Sequence, residues 1–337
     1  MPRKGAKVAR NALEALRKQR TMTVSAGRAP EIDSRYALTG NRSRDLGETI
    51  IQATLFACAA LSVVTTFAII YVLLDETLGF FREVSIVDYA FGTKWSALIE
   101  PRSFGVLPLV WGTIMVAGIA AAIALPIGLG AAVYLSEYAS DRARNLLKPT
   151  LEILAGVPTI VYGFFALHWV TPQLQRAPFF GDRVEFFNAA SAGIVVGIMV
   201  IPMVSSLSED AMHAVPRGLR EGAYALGGTK FDVSTRVVIP AALSGIVASF
   251  ILAISRAIGE TMAVVLAAGS TPNLGLDPFE SFQTMTAFIV QVALGDASAG
   301  SIEYQALFAV GMTLFLMTLV MNVISQALLA RFRDVYQ

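Results

Sequence analysis

The stretch ISRAIGET, residues 254–261, sets an arginine and a glutamate, Arg256 and Glu260, inside a run that is otherwise apolar or small. On insertion scales a charge at the middle of a bilayer costs about 2.5–3.5 kcal/mol, so such residues face a cavity, a partner or each other. Their i, i+4 spacing puts both on one face of a continuous helix, within mutual reach. Two chemistries are open. One is a structural ion pair that neutralises both charges and ties the helix to a neighbour. The other is anion handling, because a guanidinium presents paired N–H donors that suit a tetrahedral oxyanion. In that case Glu260 balances Arg256 when no anion is present, or accepts a hydrogen bond from a protonated one. Ser255 and Thr261 would add hydroxyl donors. One arginine does not hold a dianion alone, so further donors are expected from a partner.

Other reactive groups are sparse. The two histidines, His168 and His213, have no metal-ligand spacing to each other or to Cys58, the single cysteine. No metal site is therefore expected, and no internal disulfide can form. The segment GAYALGGTK, 222–230, approaches a phosphate loop, but Gly228 stands where the lysine is required and no strand precedes it. Nucleotide binding by this segment is excluded. No G-x-S-x-G elbow occurs, and no nucleophile–base set suggests an intramembrane enzyme. A net charge of +1 gives no reason to expect a nucleic-acid partner.

The elements that must position Arg256 follow from hydropathy. Of 337 residues, 55% are hydrophobic and 15% charged, against about 25% charged in ordinary soluble domains. A bilayer core needs about 20 apolar residues in a helix. Six runs qualify: 50–74, 107–135, 149–170, 189–208, 238–268 and 304–330. None alternates as a barrel strand would, which predicts an all-α integral membrane protein in contact with lipid. Pro126 and Pro158 predict kinks in the second and third runs. The loops fall into two sets with twenty lysines and arginines against five, and Arg256 is the remaining one. That contrast predicts a multi-pass protein of the inner (plasma) membrane with both termini cytoplasmic. The chain then divides into a basic tail (1–49), a membrane domain (50–330) and a short cytoplasmic end (331–337). In the tail, residues 6–20 have the spacing of an interfacial helix; a flexible solvated tail is the other reading.

One cytoplasmic loop, 215–237, stands out. Its sequence, continued to residue 245, is VPRGLREGAYALGGTKFDVSTRVVIPAALSG. Pro216 can open a short helix. Leu219, Ala223 and Leu226 then form an apolar stripe, flanked by Arg217, Arg220 and Glu221. Gly227 and Gly228 end the helix by allowing positive φ. A second short amphipathic piece, 230–236, leads to Pro240. A helical knob without catalytic residues suits docking into a partner's groove.

This loop resembles the signature of permease subunits of ABC importers, E-A-A, three residues, G, nine residues, I-x-L-P. It reads Glu221-Gly222-Ala223, then Gly227, then nine residues to Val237-Val238-Ile239-Pro240. Gly222 for alanine is the least conservative departure. FGVLPLVWGT (104–113), LSEYAS (135–140), LAGVPTIVYGFFAL (154–167), SRAIGETMAV (255–264) and QTMTAFI (283–289) narrow the resemblance to the C-type permease subunit of phosphate-specific importers. It covers about residue 50 to the end. It implies the type I importer (MetI-like) core of six transmembrane helices with a cytoplasmic coupling helix. It also implies a second, similar permease subunit, two ATPase subunits that bind ATP and Mg, and a periplasmic or lipid-anchored protein that delivers inorganic phosphate. No cofactor is implied in this chain. The knob becomes the coupling helix seated in an ATPase cleft.

A permease for another oxyanion is one alternative, and a stand-alone ion-coupled carrier is another. The carrier would need several intramembrane acids and would not need the knob. Weaker candidates remain. Glu152 is expected to face the cytoplasm or a partner. Asn322 and Gln326 are spaced for interhelical hydrogen bonds. Gly269, Ser270 and Thr271 read as a solvated turn or as backbone donors to an anion. The apolar positions 285, 288, 289, 292 and 293 within 282–294 predict an amphipathic external helix lining the entrance or meeting the binding protein.

Overall fold

In hydrocarbon the backbone must satisfy its own N–H and C=O groups, so long apolar runs fold as helices. The computed structural model describes residues 42–295 and 297–332. The expected interfacial helix at 6–20 and most of the end at 331–337 lie outside the described residues. The chain divides into two units, Met1–Phe67 and Ala68–Gln337. In the first, the opening part of helix α1 (Arg42–Glu83) carries exposed Ile50, Leu55, Phe56 and Phe67. The second unit holds everything that follows.

Among the described residues four helices are long and apolar enough to cross a membrane, or six if each of two bent pairs counts as one span. After α1 come a short helix α2 (Ile86–Phe91) and an antiparallel hairpin, β1 (Trp95–Ser96) and β2 (Ser103–Phe104). Helix α3 (Leu107–Val133) runs on through Pro126 and ends in a π-helical turn, Tyr134–Tyr138. The expected third span is not a single rod. Helix α4 (Asp141–Ala155) meets α5 (Thr159–Phe165) at an 88° bend, after which a π-helical turn leads into α6 (Thr171–Gln175). Pro158 caps α5 at this break, because it has no N–H to continue the ladder.

Helix α7 (Ala189–His213) is the buried axis of the second unit. Its cap is Asn188, whose Oδ1 accepts the Ser191 N–H at 2.7 Å while its Nδ2 donates to the Glu185 carbonyl. Helices α3 and α7 cross at glycine-close range. A Cβ at Gly193 would lie 2.6 Å from the Ile119 Cβ, and one at Gly128 2.6 Å from the Val204 Cβ. Small residues let two backbones approach where no hydrophobic drive separates helix from lipid.

The knob region comprises α8 (Arg217–Ala225), α9 (Lys230–Val233) and α10 (Ile239–Ala241), with a π-helical turn before α10. The expected fifth span, 238–268, is also interrupted. A 71° bend separates Lys230–Ala241 from α11 (Leu243–Ile258), and residues 259–261 part α11 from α12 (Met262–Ala267). Helix α13 (Met285–Ala293) follows, then α14 (Ile302–Phe332). Of the apolar positions 285, 288, 289, 292 and 293 of α13, Met285, Phe288 and Val292 are buried, Ile289 is half-buried and Ala293 is exposed. The helix packs against α3, α12 and α14. On α14, Asn322 and Gln326 are exposed rather than engaged between helices of this chain.

Candidate functional site

Arg256 occupies the last turn of α11, where a cation is favoured by the exposed carbonyls of the helix end. It is exposed to a cavity of about 490 Å³. Lys148 and Glu152 of α4, Ser205 and Glu209 of α7, and Leu252 of α11 also line that cavity. The sequence had placed Glu152 toward the cytoplasm or a partner; the bend after α4 brings it to the same cavity as Arg256.

The expectation that Arg256 and Glu260 share one helix face is overturned. Helix α11 ends at Ile258, and the break at Gly259 rotates Glu260 away. Among the described residues no ion pair joins the two. Glu260 is buried, and its Oε1 accepts the Ala263 N–H at 3.3 Å at the start of α12. Its carbonyl accepts the Thr286 hydroxyl at 2.8 Å, which ties the break to α13. Thr261 donates to the Gly259 carbonyl, closing its own turn. The Ser255 hydroxyl is buried without a hydrogen-bond partner. Of the four residues expected to gather, only Arg256 lines the cavity. An apolar sequence cannot show where a glycine in it will end a helix.

Sequence reasoning missed Lys148, Ser205 and Glu209. Glu209 is only 2% exposed and receives Arg144 at 2.8 Å and Lys148 at 3.2 Å, both from α4. Lys148 also lies 3.6 Å from Asp210. The Ser205 hydroxyl is buried against the cavity wall without a partner. The available signal for Ser205 and Glu209 was the polar cluster at 205, 206, 208 and 209, where the apolar run 189–208 ends.

The knob is built from local rules. Gly227 adopts φ +86°, the Gly228 N–H bonds the Ala223 carbonyl and the Gly227 N–H bonds the Tyr224 carbonyl. These two bonds close the end of α8 as a Schellman motif, in which only glycine takes the left-handed position without strain. Thr229 then caps α9 through a reciprocal box with Asp232. Leu219, Tyr224 and Leu226 are exposed, Leu226 to 91%. Arg217, Glu221 and Gly222 share that exposure, while Ala223 is half-buried and Pro240 begins the turn back toward α11. Arg220 departs from the expected partner-facing set. Its side chain is 20% exposed and turned inward, onto Glu137 and the Met212 carbonyl.

At the other end of α3, Phe80, Tyr89, Trp95, Phe104 and Phe288 form edge-to-face pairs. The Tyr89 hydroxyl meets the Thr313 Oγ1 at 2.8 Å. Burial raises the Tyr89 phenol above its ordinary pKa, against the opposing effect of that bond. In the segment 269–271, Gly269 is buried while Ser270 and Thr271 are exposed. Gly269 packs on Ser281, and the Thr271 carbonyl accepts the Gln283 N–H.

Broken apolar helices around a largely apolar cavity that holds Arg256, Lys148, Glu152 and Glu209, with a helical knob leading into one of them, are the architecture of a multi-pass membrane protein. The chain matches the family "Binding-protein-dependent transport system inner membrane component" over residues 124–334, and it belongs to that family. It is 31% identical to the "Probable ABC transporter permease protein YqgH" of Bacillus subtilis (strain 168), over 85% of this chain and 92% of that one. It is 31% identical to the "Phosphate transport system permease protein PstC" of Mesorhizobium japonicum, over 95% and 96%. The protein of that name from Xylella fastidiosa (strain Temecula1) is 33% identical, over 73% and 79%. Among solved structures, a chain of a bacterial alginate ABC transporter in complex with a periplasmic protein shares the fold. The TM-score is 0.60 at 14% identity, covering 85% of this chain and 98% of that one.

Proposed function

We propose that this chain is one permease subunit of an ATP-driven phosphate importer, forming half of the translocation pathway. The observation that carries the reading is the placement of Arg256. It faces a cavity between bent helices, on the helix that the knob leads into. The names of the PstC relatives support phosphate as the substrate. In this reading both termini and the knob are cytoplasmic, which the charge asymmetry of the loops supports. A second, similar permease subunit completes the pathway. Two ATPase subunits bind ATP and Mg and receive Leu219, Tyr224 and Leu226 of the knob in a groove. A periplasmic or lipid-anchored binding protein hands over inorganic phosphate.

The physics of the step is electrostatic. Arg256 offers its fork of N–H donors to phosphate oxygens in a site that partly excludes water, where such bonds are stronger. Closure of the ATPase dimer shifts the knob, the bent helices rock, and the cavity opens alternately to each side. Glu260 helps hold the break in shape, its Oε1 accepting the Ala263 N–H at the start of α12. Vesicles containing the assembled complex test the reading. Uptake of phosphate should require the ATPase subunits and ATP, and Arg256→Gln should abolish it while the complex still assembles. Uptake by this chain alone under an ion gradient would establish a carrier instead. Normal uptake by the Arg256→Gln complex would remove Arg256 from the pathway.

A further inference from the structure

Arg220 lies on the knob helix, yet it faces away from any docking partner. Its Nη2 donates to the Met212 carbonyl at 2.6 Å, in the last turn of α7. The same nitrogen lies 3.3 Å from Oε1 of Glu137, in the π-helical turn that ends α3. The Glu137 side chain is 6% exposed, and its Oε1 also accepts the Ser136 hydroxyl at 3.0 Å. Ser136 and Arg144 both reach His213 at the end of α7, and Arg144 reaches Glu209 at the cavity wall. One guanidinium thus gathers the knob, the end of α3 and the end of α7.

The chain links α8 directly to α7 through Val215 and Pro216, but its link to α3 is noncovalent. Apolar contacts around Ala132, Val215 and Val233 also join these elements. Such contacts are non-directional. A carboxylate this buried is different. Pulling Arg220 away would strand it without its counter-charge, which is strongly unfavourable. The pair therefore resists separation along the direction in which the knob would move. The covalent link carries a displacement of the knob to α7; the pair carries it to the end of α3 as well.

We propose that Arg220 and Glu137 form a positioning pair that converts displacement of the knob into movement of the α3–α7 core and hence of the Arg256 cavity. Arg220 is then a transmission residue and not a docking one. The inference rests on the transport reading above.

The test uses the complete complex in vesicles, with inorganic phosphate supplied by its binding protein, and reads phosphate taken up per ATP hydrolysed. Arg220→Met and Glu137→Gln are each expected to lower that ratio about tenfold while the ATPase subunits still co-purify. The double variant should be no worse than either single one, because each already removes the shared interaction. If Glu137→Gln fails to assemble, Glu137→Asp is read instead, since it keeps the charge and withdraws it by one methylene; it too should lower the ratio. An unchanged ratio, additive losses, or loss of the ATPase subunits from Arg220→Met alone would overturn the inference. A wild-type complex that moves no phosphate would sink the transport reading instead, so the two failures are distinguishable.

Discussion

The two ends of helix α3 are held by opposite means. Near its start, Phe80, Tyr89, Trp95, Phe104 and Phe288 lock edge to face, with ring centres 4.8 to 6.5 Å apart. Near its end, Glu137 and Glu209 are gripped by Arg220, Arg144 and Lys148. Between Leu109 and Ala132 the helix rises roughly 35 Å at 1.5 Å per residue. Interlocked rings have few alternative arrangements of equal energy, because each edge-to-face contact fixes the orientation of the next. Charged side chains on long stems do have alternatives, since Arg144 and Lys148 remain 29% and 35% exposed and can turn to water. The aromatic end suits a fixed frame and the charged end suits a joint. The knob emerges from the charged end.

Three substitutions would break or sharpen that contrast. Phe80→Ala should have the largest effect, about 3–5 kcal/mol of lost stability, because a fully buried ring leaves a cavity among its neighbours. Thermal unfolding of the purified protein in detergent measures it. A loss well under 1 kcal/mol would mean the rings can repack, and the fixed frame would not exist. Glu209→Gln comes next, at about 1–3 kcal/mol, since Arg144 and Lys148 lose a charged partner but recover part of the loss from water. The same unfolding scan applies, with phosphate uptake as a second reading. A loss as large as that of Phe80→Ala would show that the charged end is as rigid as the aromatic one. Thr229→Ala should be smallest, about 0.5–1 kcal/mol from the lost cap of α9. Hydrogen exchange at the Asp232 amide reads it directly, and unchanged protection there would show that the cap does not hold the knob's second arm.

How much of this was legible beforehand depended on the kind of signal. The knob was readable nearly residue by residue. Pro216, the stripe at 219 and 223 and the glycine at 227 are local rules, and the helix Arg217–Ala225 obeys them. Arg220 was misassigned because helical spacing shows that a residue lies beside the stripe, not that Glu137 from a distant helix end will claim it. The stripe on α13 was equally legible, while its burial was not, since the same periodicity serves a surface helix and a wedged one. Arg256 stood out as the one cation within a span. The cavity around it did not, because Lys148, Glu152 and Glu209 come from helices that only a bend brings together.

By itself the sequence determined the helical class, the approximate places of the spans, the asymmetry of positive loops and the knob with its glycine stop. Each of these follows from composition, from length against bilayer thickness, or from hydrogen bonds within a few residues. Pro158 also marked the bend of the third run; only the tertiary structure decided that it reaches 88°, that a second run bends by 71°, and that a further break at 259–261 parts Glu260 from Arg256. It also decided that Arg220 turns inward. Those outcomes depend on which distant side chain offers a better partner than the helix neighbour four residues away. That comparison exists only once the chain has packed.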